Sequence, residues 1–219
     1  MKGDGGVRGL RHLPWVVIYG VAMGYLEAAV VVYLRAIYYP GGFRFPLVAF
    51  EPAHAWIEIA REGATLVMLA AVAILAGVDR WRRWLAFLLL FGIWDLAYYG
   101  GLWITLDWPA SLGEWDLLFL IPVPWFSPVW APMSVALSMI ALSLLLAPSA
   151  ARPDRTHVAG ILLGGFVIFV SLTLPSWLRL LRGASLWEAP DAGSFPAWLL
   201  GIGLALVWGM VLHHRATTR

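Results

Sequence analysis

Apolar residues run along this chain in long unbroken blocks, not in alternation with polar ones. A helix needs about 20 largely apolar residues to cross a bilayer. Six blocks meet or approach that length: 14–34, 55–78, 84–106, 128–147, 157–174 and 197–213. Continuous blocks predict helices, because the strands of a membrane barrel alternate in hydropathy. The expected fold is an all-α integral membrane protein, a six-helix transmembrane bundle formed as one polytopic domain over residues 1–219. Basic residues precede the first block as in a signal peptide. The block is long, is interrupted by Glu27 and has no small-residue cleavage site after it, so it reads as an uncleaved first helix.

Between the third and fourth spans lies an unusual connection, rich in Pro and Trp, from Asp107 to Ala131. It is apolar, yet Pro122, Pro124, Pro128 and Pro132 forbid one straight helix. Residues 115–121 are expected to form a short helix, interfacial or re-entrant, roofing one face of the bundle.

Composition agrees with the pattern. Hydrophobic residues make up 61% of the chain and charged residues 13%, where soluble domains average roughly 45–50% and about 25%. This excludes a disordered chain, an ordinary cytosolic enzyme and a nucleic-acid binder read from charge. With Cys at 0, disulfides, thiolate metal sites and thiol redox chemistry are excluded too.

Charge orients the spans. One set of loops and both termini carry ten basic residues: Lys2, Arg8, Arg11, Arg80, Arg82, Arg83, Arg152, Arg155, Arg215 and Arg219. The other loops carry four: Arg35, Arg44, Arg179 and Arg182. The basic side is expected to be cytoplasmic, which places both termini inside a plasma (inner) membrane. Nine of the 14 Trp fall near the outer ends: Trp56, Trp103, Trp108, Trp115, Trp125, Trp130, Trp177, Trp187 and Trp198. They read as an aromatic belt or as the lining of an outer vestibule.

The chemistry lies in charges placed inside apolar blocks, where ionisable groups are costly and point to function. Glu27 lies on span one, Glu58, Arg61 and Glu62 on span two, and Asp95 on span three. At about 1.5 Å per residue, Glu27, Glu62 and Asp95 sit about 12, 10 and 16 Å inside the outer ends. Three helices thus bring carboxylates to one layer. His54, Glu58, Arg61, Glu62 and Thr65 share one helical stripe. Four acids against one Arg would carry a net charge of −3, which calls for protonation, a cation or water.

Glu27, Glu58, Arg61, Glu62 and Asp95 are therefore the candidate catalytic residues. His54, Glu58, Glu62 and Asp95 form a candidate metal set of hard ligands suited to Mg, Mn, Ca or non-haem iron. Tyr98, Tyr99, Trp103, Asp116 and Trp125 are expected at the rim. A lipid-like or small hydrophobic substrate is the expected partner besides the bilayer, with no nucleic acid. Three readings stay open: a metal-dependent or acid–base enzyme, a small proton- or cation-coupled transporter, and a structural subunit of a membrane complex. Haem between His157 and His213, near the inner ends of spans five and six, is a weaker reading. Gly20-x3-Gly24 and Gly160-x3-Gly164 are expected to be close helix seams.

Overall fold

The structure, a computed structural model, describes residues 12–149, 151–188 and 194–218. Among the described residues six helices form: α1 (Leu13–Tyr38), α2 (Pro52–Ala76), α3 (Arg80–Leu106), α4 (Trp130–Leu146), α5 (Arg155–Leu181) and α6 (Ala197–Thr217). Five of them are long and apolar enough to cross a membrane; α4 has 17 residues and is shorter. This is consistent with a multi-pass helical membrane bundle. Large apolar side chains face outward all round it, among them Leu75, Ile104 and Trp198, the surface a lipid-facing bundle requires.

The helices alternate in direction. Arg152 pairs with Asp79 at 3.0 Å, and the Arg215 guanidinium donates to the Leu145 carbonyl at 3.3 Å. The α2–α3 turn, the end of α4 and the end of α6 therefore gather at one end. Arg80, Arg82, Arg83, Arg152, Arg155 and Arg215 lie there. Arg35, Arg44, Arg179 and Arg182 lie at the other end, while Lys2, Arg8, Arg11 and Arg219 fall outside the described residues.

Helix α3 is the hub, packing on α1, α2 and α4, while α5 pairs mainly with α6. Leu69 of α2, Leu85, Leu89 and Leu90 of α3, and Leu142 and Leu146 of α4 form part of the core. Two seams depend on missing side chains. A Cβ at Gly24 would collide with the α3 backbone at Trp94 and Tyr98. Gly164 and Gly203 would each meet the other's carbonyl oxygen, at 2.8 and 2.9 Å. The glycines picked out by their spacing thus pack helices inside one chain.

Two expectations need correction. Residues 115–121 do not form a helix. Strand β1 (Trp115–Leu117) pairs antiparallel with β2 (Phe126–Pro128), Asp116 standing opposite Ser127. A Pro-rich segment lacks the N–H groups a helix needs. Here the remaining amides pair across the hairpin, Leu118 to the Trp125 carbonyl at 2.9 Å and Trp125 to the Phe119 carbonyl at 2.7 Å. Phe126 and Ser127 are completely buried, so the hairpin is inserted among the helices. The second correction concerns span five, expected to end at residue 174. Helix α5 continues through Pro175 to Leu181: the proline removes one N–H, and the following turn keeps its ladder, the Arg182 amide reaching the Leu178 carbonyl at 3.2 Å.

The α2–α3 turn is held by Asp79, the N-cap of α3. Its carboxylate accepts the Arg82 amide at 3.0 Å and pairs with the Arg82 and Arg152 guanidinium groups. The Arg82 amide and these cations hold the Asp79 carboxyl below its ordinary range. A carboxyl lowered in the folded state stabilises above its unfolded pKa of about 4, and that gain is lost as pH falls through the folded value. Asp79→Ala is expected to destabilise the protein by about 1 kcal/mol at pH 7. The difference from wild type is expected to shrink on acidification, read from thermal melts at a series of pH values.

Candidate functional site

At the end away from Asp79, the C-terminal half of α1, the N-terminal half of α2 and the C-terminal half of α3 surround a cavity of about 130 Å³. The hairpin closes one side of it, and Pro132, Val135 and Ala136 of α4 with Leu172 of α5 complete the apolar wall. Glu27, Glu58, Arg61, Glu62, Asp95, Tyr98, Asp116 and Trp125 all line this space.

Helical spacing aims the polar groups inward. On α2, Glu58, Glu62 and Thr65 recur at i, i+4 and i+7 and are buried. Arg61 bridges two helices from the same face. Its Nη1 pairs with Glu27 Oε1 of α1, and its Nε donates to Glu58 Oε2 at 2.8 Å. The Thr65 hydroxyl donates to the other Glu27 oxygen at 3.3 Å. Glu62 faces the hairpin, where the Leu120 amide donates to both carboxylate oxygens, at 3.0 and 2.9 Å.

A second polar layer lies nearer the mouth. Asp116 of β1 takes the Arg35 guanidinium at 3.4 Å and the Tyr99 hydroxyl at 3.2 Å. Burial pushes the Asp116 carboxyl up, while Arg35, the Leu117 amide and the tyrosine hydroxyls pull it down. The Arg35 guanidinium also lies 4.1 Å from the Phe43 ring and 3.9 Å from the Trp108 ring, each measured to the centroid. Reading the chain alone places Arg35 in a loop. In the structure it is buried in the last turn of α1. The available signal is its position eight residues after Glu27, on the same helix face.

Asp95 differs from the other acids. It is 8% exposed, it lines the cavity, and its Oδ2 has no hydrogen-bond partner among the described residues. The neighbouring Trp94 Nε1 is likewise buried and without a partner among them. No known family model, curated protein or solved structure matches this chain. The site is therefore read from its own geometry.

Not every expected site residue is gathered here. His54 sits at the exposed mouth, its Nδ1 2.5 Å from the Tyr38 hydroxyl and 4.0 Å from Glu51. Trp103 points outward at 63% exposure and does not line the cavity. The ligand set His54, Glu58, Glu62 and Asp95 stays dispersed over these different partners. Among the described residues no three His, Cys, Asp or Glu side chains are grouped to hold a metal ion. The nine Trp of this end divide. Trp125 and Trp187 line the cavity and Trp108 stacks on Arg35, whereas Trp56, Trp103 and Trp198 face outward.

At the opposite end His157 and His213 do meet, Nε2 to Nδ1 at 2.9 Å, with Asp154 on the other His157 nitrogen at 2.7 Å. The two imidazoles bond each other directly, which leaves no space for a haem iron between them.

Proposed function

We propose that the chain is a multi-pass membrane protein whose cavity is a one-ended intramembrane site for acid–base work on a lipid-like substrate. The end rich in Arg faces the cytoplasm and the cavity opens to the outer face, as the Lys and Arg count directs. The hairpin roofs the site, and the outward indoles mark the interface. One observation carries this reading: the polar groups of α1, α2, α3 and the hairpin converge on a single apolar-walled cavity at one end of the bundle.

Division of labour follows from the contacts. Arg61 pairs with both Glu27 and Glu58 and orients them. Glu62 holds the roof through Leu120. Asp95, whose Oδ2 is unengaged by the described residues, exchanges the proton. A transport path through the membrane has less support, because α4 and α5 bring only Pro132, Val135, Ala136 and Leu172 to the cavity and no ionisable group.

The test compares total lipid extracts of cells overproducing wild type, Glu62→Gln and Asp95→Asn at matched protein levels. Mass spectrometry is expected to show a lipid species gained or lost with wild type and unchanged in both variants. Identical extracts from all three would count against an enzyme. Proton uptake by proteoliposomes containing the wild type would then assign the same residues to transport.

A further inference from the structure

The carboxylates of the cavity are unequally occupied. Five of them, Glu27, Glu58, Glu62, Asp95 and Asp116, line it together with two guanidinium groups. Arg61 is shared by Glu27 and Glu58, and Arg35 is taken by Asp116. Glu62 accepts a backbone amide through both oxygens. Each cation among the described lining residues thus already has its anion, and their surplus is negative. Asp95 is the member of this surplus with a buried oxygen free of any described partner.

Aromatic rings share its cavity. Phe91 and Trp94 of α3 lie 5.2 Å apart, and Phe119 of the hairpin lies 6.3 Å from Phe91 and 6.0 Å from Trp94. Trp125 continues the wall at 5.3 Å from Phe119. All four rings line the same cavity as Asp95. A carboxylate and aromatic rings lining one apolar-walled cavity form an arrangement that recognises an ammonium ion, through charge and through the ring quadrupoles. An anionic head group would meet three uncompensated acids, and a neutral one would leave the Asp95 oxygen without a counter-charge. The apolar wall formed by Val135, Ala136 and Leu172 suits a hydrocarbon chain.

We infer that the cavity selects an amphiphile with a cationic amine head, held by Asp95 against the Phe91, Trp94 and Phe119 rings. This rests on the reading of the cavity as a site for a lipid-like molecule and names its head group.

The test uses the full chain in nanodiscs of neutral lipid, titrated with dodecylamine, dodecanol or dodecanoate. Binding is read from tryptophan fluorescence and from the thermal midpoint. Dodecylamine is expected to saturate the wild type at a concentration at least about tenfold below dodecanol, with dodecanoate not binding, as expected for a buried charge pair. Asp95→Asn should abolish the preference for the amine. Phe119→Leu should weaken amine binding about fivefold while leaving dodecanol unchanged, the expected loss of one cation–π face.

Equal saturation by amine and alcohol in the wild type would overturn the cationic head and leave the amphiphile site standing. Saturable binding by none of the three probes would overturn both. Should Asp95→Asn fail to fold, Phe119→Leu decides: an undiminished preference for the amine overturns the inference.

Discussion

Replacing Arg61 with Ala is expected to destabilise the protein by roughly 3–5 kcal/mol, the cost of leaving buried charge without its partner. Two acids depend on this one guanidinium, Glu27 on α1 and Glu58 one turn earlier on α2. Both are buried, at 8% and 6% exposure, so water cannot replace the lost cation. Chemical denaturation in detergent, with tryptophan fluorescence as the signal, reads the loss. A triple variant, Arg61→Ala with Glu27→Gln and Glu58→Gln, is expected to recover much of it. The penalty comes from the orphaned anions and not from the missing side chain. Arg61→Lys should fall between the two, because a single ammonium does not reproduce a fork that serves two carboxylates. A triple variant no better than Arg61→Ala would place the cost in packing.

Gly24→Leu is expected to abolish the folded monomer. A Cβ at this position already meets the Trp94 carbonyl, the Ala97 methyl and the Tyr98 amide of α3. Backbone cannot yield as a side-chain tip does, so α1 must separate from α3, at a cost above the about 1–3 kcal/mol of ordinary overpacking. Separation also takes Glu27 and Arg35 away from Arg61 and Asp116. Size-exclusion chromatography of detergent extracts should show aggregate in place of the monodisperse wild-type peak. Gly63→Ala is the matched control, since nothing lies within 4 Å of a Cβ there. Its expected effect is neutral or slightly stabilising, as helix propensity alone dictates.

Much of this architecture was legible in the chain because long apolar blocks admit few alternatives. The common depth of Glu27, Glu62 and Asp95 followed from helical rise alone, and all three now line one cavity. The glycine spacing likewise marked the α1–α3 and α5–α6 seams. The hairpin was not legible. Trp115 to Pro128 is apolar apart from Asp116 and Ser127, so no periodicity separates strand from helix, and its pairing is set by where amides remain between the prolines. The end of α5 was hidden by Pro175, since a proline that removes one N–H marks a helix end in sequence yet here leaves the helix running to Leu181. Arg35 was hidden for another reason. An Arg at a helix end can extend its stem to water or fold back, and sequence does not distinguish the two. Trp103 shows the converse: an indole near the mouth that faces away from it.

The setting of Arg35 bears on how the roof responds to dissolved salt. Its guanidinium is gripped between two rings and one acid, on segments that follow α1, follow α3 and form β1. Mobile ions weaken attractions between groups bathed in water, over a screening distance of about 8 Å at physiological ionic strength. This cation is 7% exposed, and two of its three contacts are with ring faces that carry no net charge. Dissolved salt therefore has little to compete for. A clasp built this way depends far less on ionic strength than a surface ion pair does.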